Sequence, residues 1–320
     1  MKQIFIKTCI VCIVVLLFPF LLTLFLTYSK ENSNSIETMN FNITYQLSGN
    51  VENLDFDRYI MGVVAANMPA GYHMEALKAQ AVIARTYALY NIALLTEEGH
   101  KNQDFSTSEL GLSYIDISEM EQYWGSENYM TYFTKIENAV YATRDEVLVY
   151  EGDLILPVFF ETGSGYTRNA SEAWGLDIPY LTSVSSKYDV TSTNYLKISE
   201  YSTSDLIQFL EKQYPEINLT KENFLNEVSL AERDSAGYVT KVNLGNQTVT
   251  GEEIAKALGL NSSHFYLEDY NGKIRIITTG VGHGVGLSQY SCNAMAQEGS
   301  TYPVILCHFY TGAEIITLNK

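Results

Sequence analysis

Positive charge is scarce in this sequence. The 320 residues include 20 lysines and arginines against 37 aspartates and glutamates, which gives a formal net charge of −17. A chain this acidic repels the phosphate backbone of nucleic acids, so we expect no nucleic-acid partner. The same charge argues against docking on anionic lipid head groups through a basic patch.

Cysteine is nearly absent as well, with four residues in the whole chain. Cys9 and Cys12 have C-x-x-C spacing but lie in an apolar run without a nearby histidine, and no second such pair follows. A structural zinc site therefore has little support. Cys292 and Cys307 could face each other across a helical hairpin that turns near Gly299. A disulfide outside the cytoplasm and two free thiols both remain open for them.

The chain also lacks internal repeats, and the polar run after residue 29 is not followed by any low-complexity tract. Helical and strand patterns alternate without a regular βαβ rhythm. This favours an α+β fold with mixed short sheets and helices over a doubly wound sheet. No G-x-S-x-G motif occurs in the glycine-rich segments, which argues against a serine-hydrolase nucleophile elbow.

Charge is missing altogether from residues 8–28, which are dominated by Ile, Val, Leu and Phe and are long enough to span a bilayer. Lys2 and Lys7 precede this run, so the positive-inside rule places the amino terminus in the cytoplasm and the main domain outside it. A cleaved signal peptide is the alternative, but no A-x-A pattern precedes Lys30. We expect an anchor over 1–29, a tether and first strand over 30–50, and one domain over 51–320.

Two helices are predicted early in this domain. Asp55 is placed to cap a helix that runs to about Ala66, and Pro69 forbids its continuation. An alanine-rich helix follows over about 74–94, and its small side chains predict a central, buried position. Lys78 and Arg85 on such a helix need carboxylate or ligand partners, because an unpaired buried charge is expensive.

Periodicity predicts several further elements. Strands are expected near residues 41–48, 147–150, 157–160, 239–244 and 273–279. Helices are expected near residues 203–214, 250–258, 287–297 and 302–310.

Three separated segments together resemble one known family. They are RYIMGVVAANMPAGYHMEALKAQAVIARTYAL (58–89), FFETGSGYTRNASEAWGLDIPYLTSV (159–184), and 280–315, which begins GVGHGVGLSQY and ends FYTGAEI. In this order they are similar to the stage II sporulation protein D and amidase-enhancer family. The resemblance covers the chain from about residue 54 to its carboxyl end.

The resemblance implies lytic transglycosylases that cut peptidoglycan glycan strands, notably strands without stem peptides, during engulfment of the forespore. Other members are enhancers of wall amidases. One carboxyl group suffices, since it protonates the leaving oxygen and then serves as base while the sugar's 6-hydroxyl closes an anhydro ring. The resemblance places that acid in an A-A-E-M-P motif, which here reads Ala65-Ala66-Asn67-Met68-Pro69.

Asn67 at the position of the family's glutamate has no proton to donate near neutral pH. Two carboxyl groups are candidates to replace it: Glu161 first, and Glu75 second, although first-turn helix charge also explains Glu75. Many relatives carry a cysteine–histidine cluster that is a potential metal site. At the matching spacing this chain keeps only Tyr114. We therefore predict no metal and no cofactor.

The glycine-rich run 280–286 brackets His283, and we expect this histidine to be exposed on a loop. Ser288 is placed to cap the next helix. The resemblance implies a glycan-groove role for His283, Ser288 and Gln289. It places further substrate-binding residues at Lys78, Arg85, Thr162 and Tyr166. The run is not a dinucleotide fingerprint, because no capped βαβ unit surrounds it.

Two hypotheses follow. In the first, the chain binds glycan but has weakened or lost lytic activity, and acts in sporulation or wall remodelling beside a wall amidase or another remodelling protein. In the second, it is an active lytic transglycosylase with a relocated acid such as Glu161. A third class, a purely structural membrane protein, conflicts with the glycine loop. The resemblance points to the mother-cell membrane facing the forespore.

Overall fold

The computed structural model describes residues 41–47, 50–99 and 104–318. The predicted anchor at residues 8–28, Cys9 and Cys12, and the tether up to residue 40 lie outside these ranges. Within them, no helix is long and apolar enough to cross a membrane.

The described residues alternate between helices and short strands. The helices are α1 (Phe56–Asn67), α2 (Met74–Glu97), α3 (Ile117–Trp124), α4 (Ser126–Ala142), α5 (Ala170–Trp174), a 3₁₀ helix (Lys187–Thr191), α6 (Thr203–Gln213), α7 (Phe224–Glu227), α8 (Gly251–Ala257), α9 (Gln289–Gln297) and α10 (Tyr302–Phe309). The strands are β1 (Asn42–Leu47), β2 (Asn50–Leu54), β3 (Asp104–Ser106), β4 (Glu146–Tyr150), β5 (Asp153–Leu154), β6 (Phe159–Phe160), β7 (Leu196–Ser202), β8 (Val228–Arg233), β9 (Val239–Leu244), β10 (Gln247–Val249), β11 (Phe265–Tyr270), β12 (Lys273–Thr279), β13 (Leu287–Ser288) and β14 (Glu314–Thr317). This mixture confirms the α+β fold class.

Helix α1 begins and ends as its sequence predicts. The Asp55 carboxylate accepts hydrogen bonds from the backbone N–H groups of Asp57 and Arg58, at 3.0 and 3.3 Å, which satisfies two donors of the first turn. Met68 is already extended, and Pro69 follows it. The helix therefore stops immediately after Asn67.

Helix α2 is the centre of the larger core. Its alanines at 76, 79, 81, 84 and 88 are buried and let neighbouring elements approach closely. Around it pack α1, α4, α9 and α10, together with strand β4 of the sheet β14-β4-β5. A second sheet, β2-β1-β3, has β1 antiparallel to β2 and parallel to β3. The prediction of a central, buried alanine-rich helix is confirmed.

Residues 196–279 build a second hydrophobic core of their own. It is enclosed by two three-stranded sheets, β10-β9-β8 and β11-β12-β7, and by helices α6 to α8. Strands β7 and β12 are antiparallel neighbours that pair Leu196 with Thr279, so the chain enters and leaves this lobe at one place. We call residues 196–279 the second lobe and the remainder of the described chain the main lobe.

Candidate functional site

A cavity of about 830 Å³ opens in the main lobe beside the end of α1. One side is the segment from α1 through the turn that precedes α2, another is formed by α3 and α4, and the third comes from the chain around β6 and the start of α9. Its lining comprises Ala65, Ala66, Asn67, Met68, Pro69, Ala70, Gly71, Tyr72, Tyr123, Trp124, Tyr132, Glu161, Asn194 and Gln289.

Asn67 is half-buried on the cavity lining and is fixed by its own amide group. The side-chain nitrogen donates to the carbonyl oxygens of Val63 at 2.7 Å and Ser113 at 2.8 Å. Both amide hydrogens are thus engaged, which leaves the amide oxygen as the polar atom open to a ligand. At this position the chain offers an acceptor and no transferable proton.

Gln289 connects the cavity to the first residues of α9. Its side-chain nitrogen donates to the main-chain carbonyl of Asn67 at 2.7 Å and to the Gln80 side-chain oxygen at 3.1 Å. Ser288 before it accepts from the backbone N–H of Ser291, so its predicted role as a helix cap is confirmed. These contacts hold the floor of the cavity against α2.

Asp189, which was not predicted from the sequence, holds the turn after Glu161 and the start of α9 together. Its buried carboxylate accepts hydrogen bonds from the Gly163 N–H at 2.7 Å, the Ser288 hydroxyl at 2.6 Å and the Ser291 hydroxyl at 2.8 Å. Burial raises the pKa of Asp189, although these hydrogen bonds oppose the shift. The carboxylate ties the turn after Glu161 to the start of α9. Asp189 lies in a five-residue 3₁₀ helix, which is too short to show an apolar period, so the sequence carried no signal for it.

Glu161 is the one carboxylic acid among the lining residues of this cavity. Its side-chain oxygen accepts a hydrogen bond from the Asn194 amide at 2.8 Å, and its carbonyl accepts one from the Tyr290 N–H at 3.0 Å. The structure therefore brings Asn67, Glu161 and Gln289 to the same cavity.

Three other sequence-predicted residues, Thr162, Tyr166 and His283, do not line this cavity. Thr162 is buried, pairs with Val281 through backbone hydrogen bonds of 3.1 and 2.7 Å, and leaves its hydroxyl without a hydrogen-bond partner among the described residues. Tyr166 is 60% exposed. His283 is half-buried, so the expectation of an exposed histidine is wrong.

The His283 ring is held by backbone groups on both sides. Its Nε2 lies 3.0 Å from the Phe159 carbonyl, and its Nδ1 accepts the Val285 N–H at 3.1 Å. Burial lowers the pKa of His283 to about 4. The ring therefore holds the glycine-rich run 280–286, which we call the glycine loop, against β6.

Lys78 and Arg85 have partners away from the cavity lining. The Lys78 ammonium pairs with the Glu75 carboxylate at 2.7 Å. Arg85 is 1% exposed and donates to the carbonyls of Glu146 and Val140, at 3.1 and 3.3 Å. The partners of Arg85 are main-chain oxygens, so the expected carboxylate or ligand partner is wrong for this residue. These bonds fix α2 against β4 and the end of α4.

Four aromatic residues line the cavity, Tyr72, Tyr123, Trp124 and Tyr132, and we call them the aromatic wall. The Trp124 and Tyr132 rings meet edge to face, with centroids 5.8 Å apart. Periodicity did not identify α3 and α4, so this wall was missed. The available signal was the helix start Asp116-Ile117-Ser118-Glu119, a capping box that the structure confirms.

The two described cysteines, Cys292 and Cys307, are not joined by a disulfide. Cys292 is fully buried, Cys307 is exposed, and both are free thiols. In the described part of the chain, no group of three or more His, Cys, Asp or Glu side chains is arranged to hold a metal ion.

Comparison with known proteins gives a consistent result. A family model described as "Stage II sporulation protein" matches residues 45–150. A stage II sporulation protein D of Bacillus amyloliquefaciens is 36% identical over 275 residues, covering 83% of this chain and 75% of that protein. Its namesake in Bacillus subtilis (strain 168) is 32% identical over 98% of this chain and 96% of its own length. An "amidase enhancer" of the same organism is 26% identical over 80% of this chain and 40% of its own length.

Proposed function

The chain belongs to the stage II sporulation protein D family, and we propose that it is a cell-wall protein of sporulation that binds peptidoglycan glycan strands beside Asn67. We further propose that its lytic transglycosylase activity is weakened or lost. A sugar chain suits a cavity lined by four aromatic residues and by several amide and carbonyl groups, because sugar faces pack on aromatic rings while hydroxyls pair with amides.

The bonding of Asn67 carries this proposal. The side chain that occupies the position of the family's acid gives both amide hydrogens to the carbonyls of Val63 and Ser113. It can accept a hydrogen bond from a sugar hydroxyl but cannot protonate a glycosidic oxygen. Loss of a general acid lowers a rate by roughly 10²–10⁴-fold.

A second candidate function is an active lytic transglycosylase that uses Glu161. The supporting observation is that Glu161 lines the same cavity as Asn67 and is oriented by Asn194. In that case the acid would approach the sugar from the side of β6 instead of from the end of α1.

The proposal includes a location and a partner class. Residues 8–28 would anchor the chain in the cytoplasmic membrane, with the cavity outside the cytoplasm, at the mother-cell membrane that faces the forespore. The similarity to a protein named amidase enhancer supports a wall amidase as the partner class.

The test is glycan cleavage by the full chain on peptide-free strands, beside the variants Asn67→Glu and Glu161→Gln, with anhydro-sugar products measured by mass spectrometry. We expect cleavage by Asn67→Glu that exceeds cleavage by the native chain by about 10²-fold or more, because the variant restores a general acid. Native cleavage that Glu161→Gln abolishes would instead establish the second candidate. Failure of all three proteins to bind or cut strands would refute both.

A further inference from the structure

A second cavity, shallow and open to solvent, has a volume of about 470 Å³ and adjoins the first where α4 passes the turn before α2. It is lined by Met74, Met130, Thr131, Thr134, Lys135 and Asn138. The two cavities share a rim, because the Lys135 ammonium donates to the Gly71 carbonyl at 3.2 Å and to the Tyr72 carbonyl, and both of these residues line the first cavity.

Lys135 is the one cationic side chain among the lining residues of the two cavities. Its ammonium has three hydrogens, of which two go to the carbonyls of Gly71 and Tyr72. Among the residues that the structure describes, no carboxylate lies within ion-pair distance of it, in contrast to Lys78, which is paired with Glu75. One charged donor is therefore left for a ligand.

The charges around the two cavities favour an anionic group at Lys135. An acidic chain repels anionic ligands, and Glu161 does so within the first cavity. An anionic group would therefore be drawn to the second cavity, where Lys135 lies. Burial of the ammonium also lowers the pKa of Lys135, and a charged acceptor would offset this loss of water.

Muramic acid carries such a group when its peptide has been removed. Its lactyl side chain then ends in a free carboxylate, whereas in a peptide-bearing strand the same carboxyl is an uncharged amide. The methionine side chains at 74 and 130 offer apolar contact for the lactyl methyl, and the threonines at 131 and 134 offer hydroxyls for the sugar.

We propose that the second cavity is a subsite for the free lactyl carboxylate of peptide-free muramic acid, held by the Lys135 ammonium. This inference rests on the glycan binding proposed above and adds what selects the strand.

The experiment measures binding of the purified full chain to three ligands of equal length: peptide-free glycan strands, the same strands with their lactyl carboxylates chemically amidated, and neutral chitooligosaccharides. We expect the carboxylate form to bind at least about tenfold more tightly than the other two, with the difference reduced by salt. Because this comparison changes only the ligand, it does not depend on the folding of a variant.

The protein side of the test uses Lys135→Met, Lys135→Arg and the control Lys256→Met. We expect Lys135→Met to remove the preference for carboxylate, and Lys135→Arg to keep most of it. Lys256 is exposed on α8 in the second lobe, so Lys256→Met removes the same charge elsewhere and should retain the preference. Equal binding of all three ligands by the native chain would overturn the subsite but not glycan binding. Binding of none would overturn both.

Discussion

At the scale of single residues, substitution of Gly62 tests whether packing or helix propensity determines the stability of α1. The glycine lies in the helix interior, where alanine would ordinarily stabilise by about 1 kcal/mol. An added Cβ would, however, lie 2.2 Å from the Tyr114 ring and 2.6 Å from the Ile115 carbonyl. Because one obstacle is backbone, the clash cannot be relieved by rotating a side chain.

We therefore expect Gly62→Ala to lower the free energy of unfolding by about 2–3 kcal/mol, measured by denaturant titration. The matched control is Gly71→Ala, where an added Cβ would meet only the Tyr132 hydroxyl, at 3.9 Å. This control should stay within about 0.5 kcal/mol of the native chain. A Gly62→Ala protein as stable as the control would show that the segment at 114–115 moves freely away from α1.

Residue-level prediction from sequence succeeded where the partner is local. The caps Asp55 and Ser288 bond to backbone within three residues, so their spacing alone reveals them. Asp189 binds Gly163 and Ser288, 26 and 99 positions away, and such distant partners leave no mark in a local pattern. The sequence identified Asn67 through the family resemblance and Glu161 as a candidate acid, and both line the cavity. Lys135 was not identified from the sequence and was recognised only in the structure.

At the scale of elements, the glycine loop and β6 are joined by a neutral histidine. The His283 Nε2–H donates to Phe159, and the unprotonated Nδ1 accepts from Val285. Protonation of Nδ1 would leave the Val285 N–H without an acceptor. Burial lowers the pKa of the folded imidazole to about 4, and the nearby Arg168 charge acts in the same direction, against the hydrogen bond to Phe159.

An unfolded histidine titrates near 6.5, so the folded state binds this proton more weakly. The contribution of neutral His283 to stability is therefore fully present above about pH 6.5 and is lost as pH falls towards 4. We expect a loss of roughly 3 kcal/mol over this window. The measurement is denaturant unfolding at a series of pH values.

His283→Gln should remove this part of the acid loss, although its stability at pH 7 will be lower than that of the native chain. His264 is also a buried histidine with a lowered pKa, so the relevant quantity is the difference between the native and variant profiles. His73→Gln, an exposed site on another element, should retain the native slope. Parallel profiles for the native chain and His283→Gln would contradict the prediction.

Element prediction followed the strength of the periodic signal. The alanine-rich α2 and the strands β9 and β12 were placed closely, because each has a long or regular apolar pattern. Helices α3 and α4 were missed, and each has few buried residues. Strand β14 was missed as well. One helix expected at 287–297 begins instead with the two residues of β13, which pair with β6. Because these partners are 128 positions apart, the pairing depends on the tertiary fold and leaves no local pattern in the sequence.

At the scale of the whole molecule, one buried arginine joins the two lobes. Arg168 of the main lobe is 1% exposed and donates to the Asp234 and Glu252 carboxylates of the second lobe. Its guanidinium also lies over the Tyr238 ring, 4.7 Å from the centroid. Asp234 carries most of the weight, since its side chain is fully buried whereas that of Glu252 is 45% exposed.

Because each lobe has its own core, loss of this link should separate their unfolding. Arg168→Met would leave the Asp234 carboxylate buried without its cation, which destabilises by about 3–5 kcal/mol. We expect calorimetry of the variant to show two transitions in place of one, and hydrogen exchange to show faster opening of β8, β9 and α8 than of α2.

Arg275→Met is the matched control, since Arg275 pairs with Glu200 and Glu268 inside the second lobe and at its surface. It should shift stability by less than about 1 kcal/mol and keep the native cooperativity. A single, unbroken transition in Arg168→Met would mean that the remaining contacts between the lobes, among them the hydrogen bonds between Glu172 and Ser235, couple the two cores without the arginine.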